Sequence, residues 1–173
     1  ESENEIARLI AAAVKLSMTP NVAIRVNPDF GIRSSGMVMS GIPSQFGLEP
    51  AKVKRILANW PDELNWVGFH YFAGSQCLDP ESLRTYYANV AQDVIHLTPE
   101  KFELRSLNVG LSLGVAYNAK ESSISIAEVA DALALAVGTV TERHPNCQID
   151  LESGRYLVGE AGVFVTRVND IKE

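Results

Sequence analysis

The sequence has no basic run, no long apolar stretch and very little cysteine, and each absence excludes a class of function. Without clustered lysine or arginine, and with a formal net charge of −6, the chain lacks the footprint of a nucleic-acid partner or an anionic membrane surface. No apolar segment approaches the roughly 18 residues that a membrane span needs. Cys77 and Cys147 lie far apart and outside any Cys-x-x-Cys or Cys/His spacing, so no metal site is expected. They read as reduced thiols in a cytoplasmic protein. The opening Glu1-Ser2-Glu3-Asn4-Glu5 is acidic, the reverse of a secretory leader's basic start.

What is present is enough for one core and one domain: 173 residues, 46% of them apolar. Ser2 and Glu5 form a capping-box pattern, and Ile6, Leu9, Ile10, Ala13 and Val14 follow as an apolar helical stripe to about Leu16. A domain seldom opens so directly on a helix, so a piece of a longer protein is expected. Val22 to Val26 reads as a strand, closed by Asn27-Pro28. A long loop from Phe30 to Leu48 follows, of a length usually functional or disordered, with enough apolar residues to predict partial order. Pro50 starts a short helix with Val53, Ile56, Leu57 and Trp60 on one face.

Trp66 to Gln76 is the stretch on which the rest converges. Its apolar run predicts a strand buried on both faces, and Ala73-Gly74-Ser75-Gln76 its turn into a loop. Asp79-Pro80 caps a long helix carrying Leu83, Tyr87, Val90, Val94 and Leu97. Leu104 to Val109 is a third strand, Ile126 to Val140 a further helix, and Gln148 to Glu152 a fourth strand. Alternation from Gly162 to Asn169 predicts one more strand. The first four strands recur about every 40 residues with helices between, the rhythm of a parallel sheet. Both an open doubly-wound sheet and a (β/α) barrel fit. A complete barrel takes roughly 250 residues, so these units make about half of one.

Ligands of such sheets bind at the strands' carboxyl ends. There lie His70, Ser75 and Gln76, then Gly110-Leu111-Ser112-Leu113-Gly114, then Glu152-Ser153-Gly154-Arg155. Singly each has an ordinary reading: a buried histidine, a cap, a strand-to-helix turn, a surface ion pair. Jointly they offer a backbone loop for phosphate, an arginine for its charge and a carboxylate at a strand end. That set suits a phosphorylated cofactor with a basic ring nitrogen.

The ordered motifs RVNP, SGM, QFGL, GFH…GSQ, LNVGxSxG and ESGRYLVGEAGV span nearly the whole chain. Together they resemble the barrel domain of pyridoxal-phosphate decarboxylases of the alanine-racemase fold type, which include the diaminopimelate, ornithine and arginine decarboxylases. Arg25 to Pro28 and Gly74-Ser75-Gln76 place the chain nearer the diaminopimelate branch, or a relative acting on carrier-bound amino acids. The resemblance implies an α/β fold covering strands five to eight of a (β/α)8 barrel, without the C-terminal β-domain. Residues 1–161 would form the half-barrel and 162–173 a crossover toward that domain.

The resemblance further implies pyridoxal 5'-phosphate as cofactor. Glu152 would hold the pyridine nitrogen protonated. Gly110, Ser112, Gly114, Ser75, Ser153, Gly154 and Arg155 would surround the phosphate, and His70 would line the pocket, with Phe72 where many members place a ring-stacking histidine. An amino-acid substrate and a homodimer of the full-length protein are implied, with no nucleic acid and no membrane.

Three departures stand out. Leu111 and Leu113 occupy a loop that is normally Gly-Gly-Gly-x-Gly, setting side chains where backbone should meet phosphate. Ser153 replaces a proline, and Ser44-Gln45-Phe46-Gly47 lacks a lysine common before Phe-Gly. The Schiff-base lysine of the family belongs to an early barrel strand. Lys15, Lys52, Lys54, Lys101, Lys120 and Lys172 all fall on helices, in loops or in the tail. The chain is therefore expected to be a fragment, inactive alone, of a decarboxylase. The alternative is a non-catalytic homologue with a regulatory or binding role, motivated by the two leucines. An unrelated phosphate-binding α/β enzyme is a third reading, which the ordered motifs disfavour.

Overall fold

The computed structural model describes residues 1–32, 34–42 and 44–172. Four strands, β1 (Asn21–Val26), β3 (Asn65–Tyr71), β5 (Ser106–Asn108) and β6 (Gln148–Asp150), pair in parallel in the order β1-β3-β5-β6. Each strand joins beside its predecessor, so the order never reverses. A doubly-wound sheet binds its ligand where that order reverses. An arc with no reversal is the topology of a barrel, and it decides between the two folds that the sequence left open.

Register sorts the strand residues into rows. Ile24, Phe69, Leu107 and Ile149 are aligned across the four strands, as are Arg25, His70, Asn108 and Asp150 one position later. Successive strand residues face opposite sides. The first row joins the hydrophobic core, with Leu83, Tyr87, Val90 and Val94 of α3 (Pro80–Leu97) and Val140 of α4 (Ala130–Arg143). The second row is polar and lies on the inner side of the arc. β3 is accordingly not buried on both faces as its apolar run predicts: Phe69 and Tyr71 are fully covered, while Val67 and His70 are half-buried.

Local signals set the helix starts. In α1 (Glu3–Leu16) the Ser2 Oγ accepts from the Glu5 N–H at 3.2 Å, and Glu5 returns a bond to the Ser2 N–H at 3.1 Å. Asp79 accepts from the N–H groups of Glu81 and Ser82, with Pro80 opening α3. α2 (Pro50–Ala58) buries Val53 and Leu57. The stripe of α1 is less covered than its spacing predicts. Only Ala13 is buried, Ile6 and Ile10 border α2, and Leu9 and Val14 stay exposed.

Two strands escape sequence reading. Within the 30–48 loop, β2 (Ser35–Val38) pairs antiparallel with β4 (Gly74–Cys77), setting Met37 opposite Ser75 and Val38 opposite Gly74. The expected loop at Gly74-Ser75-Gln76 is therefore a strand. Such short segments carry no resolvable period of their own, and their pairing is a tertiary contact. The strand expected from Gly162 to Asn169 is absent, and this segment is irregular and exposed. Alternation makes a strand only where a neighbour accepts its hydrogen bonds, and among the described residues none pairs with it. No helix among the described residues is long and apolar enough to cross a membrane.

Candidate cofactor site

Two polar groups assemble at the carboxyl edge of the arc. Glu152 leaves β6 toward the inner row. Its Oε1 accepts from Asn108 Nδ2 at 2.8 Å, and its Oε2 lies 3.6 Å from His70 Nε2, longer than a hydrogen bond. His70 Nε2 is buried and has no hydrogen-bond partner among the described residues. Arg25, aligned with His70, lies with its guanidinium 4.7 Å from the Phe46 ring centre and 5.8 Å from that of Phe72, and its Nη1 donates to Glu1 at 2.8 Å.

Burial holds the His70 imidazole below its ordinary pKa; Glu152 opposes that shift and Arg25 adds to it. The folded protein therefore binds this proton less readily than the unfolded chain does. The contribution to stability is intact above about pH 6.5 and is lost as pH falls from there through the depressed folded value. His70→Asn should flatten that slope, read from unfolding free energies across the acid range. An unchanged slope would show that the histidine is not held neutral.

The second group joins α5 (Gly154–Val158) to β4. Arg155 Nε donates to Ser75 Oγ at 3.2 Å, and its Nη1 donates to the Tyr117 hydroxyl. Tyr117 is a site residue that the sequence reading missed; its only signal was its place just after the glycine loop. Arg25 and Asn108 were missed as well, because their facing depends on strand register.

Between the groups runs the loop from Gly110 to Gly114. The side chains of Leu111 and Leu113, which the sequence sets where backbone should meet phosphate, are 3% and 2% exposed and point into the core. Tyr87 donates to the Leu111 carbonyl at 2.8 Å, pinning that turn from beneath. Gly110 (φ +57°) and Ser112 (φ +60°) both take the left-handed conformation. Ser112 tolerates it with its hydroxyl buried and donating to the Gly74 carbonyl at 2.8 Å, so only its backbone can meet a ligand. A Cβ at Gly114 would press at 3.0 Å on the Cys77 carbonyl. Gln76, suspected of chemistry, instead clamps the Val115 backbone through both ends of its amide. Leu111→Ala and Leu113→Ala should each cost about 2–4 kcal/mol in urea unfolding. A cost near zero would mean that these side chains face outward.

Residues 1–159 match the pyridoxal binding domain of the pyridoxal-dependent decarboxylases. The chain belongs to that family. A diaminopimelate decarboxylase of Aquifex aeolicus is 31% identical, the alignment covering 100% of this chain and 41% of the relative. The L-glutamyl-BtrI acyl-carrier protein decarboxylase of Niallia circulans is 28% identical over 97% of this chain and 40% of its own length. Among solved structures, the Helicobacter pylori diaminopimelate decarboxylase complexed with L-lysine superposes with a TM-score of 0.74 at 25% identity, covering 90% of this chain and 39% of that one. The chain thus spans about two fifths of the relatives it matches.

The residues present fit the family's cofactor. His70 Nε2 is a buried polar atom beside a carboxylate with no hydrogen-bond partner among the described residues, and the same holds for Ser153 Oγ. A Cβ at Gly154 would meet nothing within 4 Å, so the protein's own packing does not demand glycine there. All six lysines lie on helices, in turns or in the irregular tail, away from the strand ends.

Proposed function

We propose that this chain is the part of a pyridoxal-phosphate-dependent amino-acid decarboxylase that holds the cofactor's phosphate and ring nitrogen. One observation carries the reading: Glu152 and Arg155, adjacent at the exit of β6, serve two different polar groups. Glu152 enters the Asn108–His70 group, and Arg155 the Ser75–Tyr117 group. A ligand with a basic ring nitrogen at one end and a phosphate at the other matches that division.

The cofactor, when bound, supplies an electron sink for the pair left as the substrate's α-carboxylate departs as carbon dioxide. Glu152 holds the proton on the ring nitrogen, without which the ring is a poor acceptor. The Arg155 guanidinium and Ser75 hydroxyl hold phosphate oxygens, beside the backbone of Gly110, Ser112 and Gly114 and that of Ser153 and Gly154. Phe72 and His70 line the ring's surroundings. The catalytic lysine is supplied from outside this sequence, so the chain alone is inactive.

The names of the relatives favour diaminopimelate or a carrier-bound amino acid as substrate. We further propose a cytoplasmic homodimer as the working form, with residues 162–173 leading toward a further domain. Buried, unpaired Cys77 and Cys147 agree with a reducing compartment. The regulatory alternative rested on Leu111 and Leu113, and their burial removes its motive.

Full-length parent protein mixed with pyridoxal phosphate should develop a visible absorbance that borohydride abolishes. No such band at saturating cofactor would overturn the reading.

A further inference from the structure

Asn108 touches both the Glu152 carboxylate and the loop from Gly110 to Gly114. It ends β5, and its backbone is aligned with His70 on one side and Asp150 on the other, so neighbouring strands fix its position. Its Nδ2 donates to Glu152 Oε1 at 2.8 Å, and its Oδ1 accepts from the Gly110 N–H at 2.9 Å. The chemistry of the partners orients the amide. A carboxylate only accepts and a backbone N–H only donates, so the amide faces one way.

We propose that Asn108 is a positioning residue that couples the Glu152 carboxylate to the phosphate loop through one rigid amide. The proposal rests on the pyridoxal-phosphate reading, in which these two features hold opposite ends of one ligand. Their separation is then set by a single side chain on a strand, and not by two independent loops. The bond to Gly110 also supports that residue's left-handed turn, which aims the backbone following it. Few side chains meet both demands. Aspartate keeps the acceptor arm and loses the donor, whereas leucine loses both.

The two arms can be separated in the full-length parent protein. Wild type, N108D and N108L are compared for affinity toward pyridoxal phosphate and toward pyridoxal, which lacks the phosphate. The ratio of the two affinities reports the phosphate anchor. N108D should leave that ratio within about twofold, and N108L should lower it about tenfold.

The acid limb of the pH–rate profile reports the other arm. It should move to higher pH in N108D, because two adjacent carboxylates resist ionising together. His70 of β3 lies 3.6 Å from the same carboxylate, and Arg25 of β1 and Asp150 of β6 are aligned in the same row; all three are unchanged in both variants. Should N108L fold poorly, N108D alone decides through its profile. An unshifted profile in N108D, or a wild-type affinity ratio in folded N108L, overturns the proposal. A wild-type protein that binds no pyridoxal phosphate overturns the parent reading itself.

Discussion

Gly68→Ala is expected to leave the protein unfolded or barely folded. A Cβ at that position would stand 1.6 Å from the Ser106 carbonyl oxygen and 2.7 Å from its carbon. Both atoms are backbone, so no rotamer change relieves the clash. The strand irregularity between Val22 and Ala23 of β1 lies opposite this position, and Gly68 pairs directly with Ser106 of β5. The methyl group would force β3 and β5 apart at the middle of the sheet. The cost should exceed about 4 kcal/mol, a large share of a typical domain's stability. Gly138→Ala is the control: a Cβ there meets nothing within 4 Å, and the helix α4 should gain up to about 1 kcal/mol. Urea unfolding of both variants checks the pair. A cooperative, near-normal transition in Gly68→Ala would refute this register of β3 against β5.

Glu152→Ala in the full-length parent should lower turnover about 10²–10³-fold, as removal of a preorganised electrostatic partner does elsewhere. Cofactor affinity should weaken much less, by no more than about tenfold, because phosphate contacts remain at Ser75, Arg155 and the glycine loop. Glu152→Gln separates charge from geometry. Its carbonyl can still accept from Asn108, but it cannot hold a proton on a ring nitrogen as a carboxylate does. It should therefore be nearly as slow as the alanine variant, with closer to wild-type binding. Steady-state rates and cofactor titrations on the three proteins decide the matter. Wild-type turnover in either variant would reject the assigned role.

Much of the architecture was legible along the chain. The Ser2/Glu5 and Asp79-Pro80 caps, and the buried face of α3, follow from residues a few positions apart, and the structure forms them as read. The motif order identified the family, which the match over residues 1–159 bears out. Other expectations failed for a common cause. The ribbon of β2 and β4, the exposed side of α1 and the unpaired tail from Gly162 onward all depend on whether a distant partner is available. The direction of the Leu111 and Leu113 side chains was likewise set by the core beneath them.

The sequence by itself determined the helix caps, the βα rhythm and the chemical types gathered at the strand ends, because spacing, turn residues and side-chain type act over a few residues. Only the tertiary structure decided that the strands add without reversal, which makes the sheet a barrel arc. It also brought Glu152 to Asn108 across 44 residues and Arg155 to Ser75 across 80. Those contacts come from parallel register, fixed when apolar rows such as Ile24, Phe69, Leu107 and Ile149 pack against helices. Packing of the outer row sets the alignment, and the polar inner row is carried with it.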